Sequence, residues 1–228
     1  AQRKKRGGAP RTSALKRRKG LMRVLFIGNS HTYFNDMPQI FAEICRRNGV
    51  GTDVTMITHG GMGWDFHEKE PEVRFNIRYG GYDAVVLQHT AHPMGDLSVM
   101  EKSGDTLIKW VKEVGARPIL YMTWAAKRDG EAYQPVMSSA YRKLGRKNLC
   151  DVAPVGEAWW RFHALSPETE QYADDGEHAS FIGSTIAAYT IAAVALNRDA
   201  KLLASDDPAE RLICEAVSAA VHAEREFH

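Results

Sequence analysis

From Leu21 onward, short apolar runs alternate with longer stretches in which apolar residues recur every three or four positions. The runs predict buried strands and the longer stretches amphipathic helices. Leu21–Ile27 is the first run, and it ends in Gly28-Asn29. Asp36-Met37-Pro38 then opens a helix, with Asp36 expected as its N-cap and Pro38 in its first turn. Ile40, Phe41, Ile44 and Cys45 keep helical spacing until Asn48-Gly49. Further strands are predicted over 52–58, 84–88, 117–123 and 149–155. A polar helical segment is expected up to Tyr79, and helices over 98–114, 131–147, 181–196 and 208–226.

Strands alternating with helices at this spacing imply crossover units and a parallel sheet covered on both faces. Right-handed crossovers and five strands predict an α/β, flavodoxin-like three-layer sandwich with strand order 2-1-3-4-5. In such a sheet the site lies at the carboxyl ends of the strands. Ser30, Gly60-Gly61 and Gln88 each follow or end a predicted strand, so all are expected along one rim.

Composition divides the chain. It has 228 residues, 44% of them apolar, enough for one domain with a sizeable core. Residues 1–20 carry nine of the 30 Lys and Arg and no acid, so the net charge of +2 hides an acidic remainder, 21 − 28 = −7. Residues 1–20 are therefore read as a basic flexible tail and 21–228 as the folded domain. The tail could be a leader, a strap on an acidic surface or an anchor for an anionic partner, and nucleic acid is not the expected partner. No apolar run approaches the ~20 residues of a membrane-spanning helix. The chain as written starts without the apolar core of a signal peptide, which leaves open a cytoplasmic protein or an exported one whose signal has been removed. Cys45, Cys150 and Cys214 are odd in number and widely spaced, which suggests neither a disulfide framework nor a metal motif.

Three short segments could carry chemistry. In Gly28-Asn29-Ser30-His31-Thr32, glycine permits a sharp turn after the strand and brings Ser30 to a helix N-terminus with free N–H groups. A polar capping turn would have the same appearance. In Asp174-Asp175-Gly176-Glu177-His178, the spacing of Asp175 and His178 lets a carboxylate fix the tautomer of an imidazole base. Gly60-Gly61 and Gln88 could supply backbone and amide N–H donors to an oxyanion.

Taken together, these residues resemble the SGNH (GDSL-like) serine hydrolases over Leu21 to about Leu196. The likeness is to a bacterial branch with Gly-Asn-Ser, an apolar strand ending in Gln, Tyr121-Met122-Thr123-Trp124, and Pro154-Val155-Gly156-Glu157-Ala158-Trp159 ahead of Asp-Gly-x-His. The resemblance implies Ser30 as nucleophile, His178 as general base and Asp175 as its orienting acid. It implies an oxyanion hole of Ser30 N–H, Gly61 N–H and the Gln88 amide, with Gly60 replacing Gly61 if the turn is offset. Gln88 stands where the wider family has Asn. Thr32 occupies the place of the second glycine of a Gly-x-Ser-x-Gly elbow, so this is a different nucleophile turn.

His31, His89 and Trp124 are expected on the rim as substrate-binding residues, the histidines toward hydroxyls and Trp124 toward a sugar ring. His59, His67, His89 and His92 with Asp65 lack the spacing of a known metal motif, and no metal or other cofactor is predicted. The expected activity is hydrolysis of small acyl esters, acetyl esters first, with a small-molecule or carbohydrate ester as substrate. An acyltransferase or lipid-directed hydrolase on the same triad, and a non-catalytic binding module with a basic tail, are the competing readings.

Overall fold

The computed structural model describes residues 20–227, so the basic tail, apart from Gly20, lies outside the described residues. Five strands, β1 (Leu21–Gly28), β2 (Gly51–Thr58), β3 (Ala84–Leu87), β4 (Arg117–Tyr121) and β5 (Asp151–Ala153), form one sheet in the order β2-β1-β3-β4-β5. Every pairing is parallel. The helices are α1 (Ser30–Tyr33), α2 (Met37–Arg47), α3 (Trp64–His67), α4 (Pro71–Tyr79), α5 (Leu97–Glu113), α6 (Gln134–Asn148), α7 (Val155–Leu165), α8 (Phe181–Ala195) and α9 (Pro208–Arg225). The α/β, flavodoxin-like order expected from the pattern is the one observed.

Alternation along the strands explains the three layers. Val24 and Phe26 face one core, with Val86, Ile119 and Tyr121, while Leu25 and Ile27 face the other, with Val85, Leu87 and Leu120. All of these are buried, as a parallel sheet covered on both faces requires. The first core is closed by α2, α7, α8 and α9, and the second by α3 to α6. Helix α8 is apolar around its whole circumference and buried from Gly183 to Val194, so it lies inside its layer.

Three local expectations are corrected. Asp36 precedes α2 with a left-handed backbone, φ 51°, and its side chain makes no capping bond. The fifth strand spans three residues rather than the expected 149–155: Leu149 is left-handed and exposed, and Pro154 ends the pairing. Helix α7 was not expected; it starts behind Pro154 without a side-chain cap, so the usual start signal is missing. Among the described residues, no helix is long and apolar enough to cross a membrane.

Candidate active site

Strand β1 ends at Gly28, and its register puts it beside Thr58, the end of β2. The chain then turns into α1. Asn29 is its N-cap, with Oδ1 accepting from the His31 amide at 3.1 Å, and Ser30 is the first helical residue. Asn29 therefore takes the capping role in this segment, and the Ser30 side chain is not used as a cap. The Asn29 Nδ2 donates to the Met62 carbonyl at 3.0 Å, tying the turn to the loop after β2.

The Ser30 hydroxyl lies 2.6 Å from His178 Nε2, across 148 residues of sequence. His178 Nδ1 lies 2.6 Å from Asp175 Oδ2. The other carboxylate oxygen of Asp175 accepts from the amides of Glu177 and His178, both at 2.9 Å. Partial burial works against ionisation of Asp175, but the hydrogen bonds from the His178 ring and from these two amides outweigh it and bring its pKa down to about 2. Asp175 is an anion at neutral pH, which fixes the proton of His178 on Nδ1 and leaves Nε2 to accept from Ser30. The side chains of Asp175 and His178 are 48% and 20% exposed, so the site opens directly to solvent.

The loop carrying His178 is braced from several sides. Tyr172 and Ala179 form an isolated antiparallel bridge, and the Ala173 amide donates to the His178 carbonyl at 2.8 Å. The Trp124 indole donates to the Glu177 carbonyl at 2.9 Å, and Lys127 N–H donates to that of Gly176 at 2.8 Å. Arg128 pairs with the Glu177 carboxylate.

Of the expected oxyanion donors, two are available. Among the described residues, neither Ser30 N–H nor Gly61 N–H finds an acceptor in the protein. Gly61 is left-handed, φ 71°, and faces open space, so conformation rather than crowding selects glycine there. Gln88 is corrected. It is fully buried, its Oε1 accepts from the Asn29 amide at 2.8 Å and from the Thr32 hydroxyl at 3.0 Å, and its amide nitrogen donates to the His89 carbonyl. Gln88 thus braces the Ser30 turn from beneath. Gly28 makes room for it, since a Cβ there would collide with Thr32 and Gln88.

The expected substrate-binding residues are also placed inside. His89 is buried and its Nδ1 accepts from the Trp64 amide at 3.1 Å. Trp124 is buried, stacked on Trp159 with centroids 4.3 Å apart, and is a brace rather than a sugar platform. His31 is nearly buried, and its ring stacks on that of His178. Burial, then the neighbouring His92 and His178, hold the pKa of His31 well below the usual histidine range. His67 and His92 are likewise depressed to about 4, mainly by burial, and the His67 ring bonds to the Gly28 carbonyl at 2.9 Å. His59 pairs instead with Glu72 at 2.6 Å. Among the described residues, no three His, Cys, Asp or Glu side chains are grouped to hold a metal ion.

Sequence reasoning missed four supports of this site: Phe34 against His178, the bond from Tyr121 OH to the His31 carbonyl at 3.1 Å, the Trp124–Glu177 bond and the Asn29–Met62 tie. Three of them are contacts across more than 30 residues of chain, and the fourth depends on the turn that carries Phe34.

No protein-family model matches the chain, and no curated protein matches its sequence. Solved structures do match. A DUF4886 family protein from Bacteroides uniformis superposes with a TM-score of 0.75 at 17% identity, over 89% of this chain and 95% of that one. A carbohydrate esterase family 3 protein from Talaromyces cellulolyticus gives 0.61 at 12% identity, over 77% and 97%. A putative GDSL-like lipase from Parabacteroides merdae has the same fold, with a TM-score of 0.59 at 16% identity over 74% of this chain and 93% of that one. A lipase/acylhydrolase from Enterococcus faecalis shares it with a TM-score of 0.57 at 16% identity, over 75% of this chain and 93% of that one.

Proposed function

We propose that the protein is a serine ester hydrolase that removes small acyl groups, acetyl first, from small-molecule or carbohydrate alcohols. The observation that carries this reading is the continuous chain from Ser30 Oγ to His178 to Asp175, with links of 2.6 Å each, at the carboxyl ends of a parallel sheet. Ser30 Oγ attacks the ester carbonyl carbon while His178 Nε2 takes its proton. The tetrahedral oxyanion accepts from the N–H groups of Ser30 and Gly61. Collapse breaks the bond to the alcohol oxygen, which leaves with the proton from His178. Water then attacks the acyl-serine with His178 again as base, releasing the acid and free Ser30.

The fold shared with a carbohydrate esterase and a lipase/acylhydrolase supports ester chemistry. The half-exposed Asp175 and the solvent-facing His178 favour an alcohol that stays largely outside the protein, such as a sugar. Turnover of p-nitrophenyl acetate is expected, and Ser30→Ala should reduce kcat about 10⁶-fold. Equal turnover by the Ser30→Ala protein would sink the assignment. Acetylated sugars compared with longer acyl esters separate this reading from a lipid-directed one, and acyl transfer to added sugar acceptors in place of hydrolysis would indicate a transferase.

A further inference from the structure

Two rings hold His178. Phe34 stacks on it with centroids 4.1 Å apart and planes 12° from parallel. His31 stacks with centroids 4.8 Å apart and planes 20° from parallel. Two rings this close and this nearly parallel would overlap if they shared one face, so they occupy opposite faces of the imidazole. The turn that carries Phe34 is fixed to the segment that carries His178. Asn35, left-handed at φ 53°, donates from Nδ2 to the Ala179 carbonyl and to Ser184 Oγ, both at 2.9 Å. Ser184 Oγ also donates to the Phe34 carbonyl at 3.3 Å. His31 is held at the other side by edge contacts from His92 and Trp124, at 4.9 and 5.3 Å.

Resting on the hydrolase reading, we propose that Phe34 and His31 form an aromatic clamp that stabilises the imidazolium form of His178 and so act as positioning residues for the general base. Charge appears on His178 only as the Ser30 proton moves onto it. The face of an aromatic ring attracts a cation. The clamp therefore binds the transition state more strongly than the ground state, which raises kcat rather than substrate affinity. His31 can serve as such a face only while neutral, and its burial beside His92 keeps it so. Asp175 bonds His178 from its own loop, and the adjoining His92, after β3, faces Glu177 of that loop and Arg128 and Asp129 after β4, with Arg128 paired to Glu177.

The test is Phe34→Leu in the full chain. We expect kcat to fall about tenfold with KM within about twofold. The pKa of His178, read by NMR titration, should fall, and the acidic limb of the kcat/KM profile should move to lower pH with it. A lower plateau together with a limb shifted to lower pH distinguishes a lost cation partner from mere loosening, which lowers the rate without moving the limb downward. Phe34→Tyr should restore both. If Phe34→Leu does not fold, His31→Leu makes the same test from the opposite face. An unchanged or raised His178 pKa in a folded variant, or a loss carried by KM alone, overturns the clamp. The NMR titration needs no turnover, so a protein that hydrolyses no ester would refute the proposed function while still reporting on the rings. Loss of activity in Ser30→Ala beside unmoved clamp variants would refute the clamp alone.

Discussion

The turn after β1 and the loop before α8 deliver Ser30 and His178, the two side chains proposed to react, and they are built in opposite ways. The Asp175–His178 loop organises itself: the carboxylate accepts from the ring of His178 and from two amides within three residues of it. The Ser30 turn is organised from elsewhere. Gln88 bonds it from 59 residues away, Met62 from 33, and Tyr121 anchors the His31 carbonyl from 90. Proton transfer needs a base with a fixed tautomer, which a short loop can provide alone. Attack as proposed needs a hydroxyl and N–H donors aimed at one point, and in this fold residues at or after several strand ends hold the Ser30 turn.

The first way to break this comparison is to alter the self-contained side. Asp175→Asn keeps the shape but removes the anion that fixes the His178 tautomer. The expected loss in kcat is about 10⁴-fold, with the fold intact. Circular dichroism and a thermal melt beside the rate measurement check both halves. A loss under tenfold would mean that the tautomer is fixed by something other than this carboxylate.

Gln88→Leu addresses the other side. It leaves the Asn29 amide and the Thr32 hydroxyl without their buried acceptor, an arrangement that costs about 1–3 kcal/mol. Stability and rate should fall together, the rate by about tenfold to 100-fold as Ser30 loses its aim. An oxyanion donor would behave differently, with rate lost and stability kept, and urea denaturation beside kcat distinguishes the two outcomes.

Acid should separate the two regions by a smaller margin. His67 and His89 lie on the side of the Ser30 turn, and burial lowers both to about 4. Their unfolded value is about 6.5, so between about pH 6.5 and 4 the unfolded chain binds more protons and stability falls as pH falls. Asp175, at about 2 against about 3.9 unfolded, contributes stability that is present above about pH 4 and is lost as pH falls toward 2. Its exposure screens that contribution and keeps it small. Hydrogen exchange at about pH 5 should therefore show reduced protection around Gly28 and Trp64 before the Asp175 loop changes. The reverse order would show that the histidines are not the acid-sensitive support.

The same contrast explains what could be read in advance. Asp175 and His178 were legible because three residues of spacing nearly fix their relation. The turn at Gly61 was legible because a left-handed turn after a strand selects glycine. Gln88, His89 and Trp124 were placed at the correct end of the sheet but assigned to the wrong surroundings. A polar residue at a strand end can point to solvent or inward, and the choice rests on residues far away in the chain. Helix α7 escaped notice because Pro154 supplies no capping oxygen and the apolar run before it reads as strand.

By itself the sequence determined the alternation of strands and helices, the parallel order of the sheet and the pairing of Asp175 with His178 before α8. Those follow from periodicity and from local chain geometry, which act within a few residues. Tertiary structure alone decided that Gln88 holds the Ser30 turn, that four histidines are kept largely neutral by burial, and that Phe34 and His31 enclose His178. Whether an amide or a ring meets a substrate or packs against its own protein is set by what the rest of the chain brings beside it.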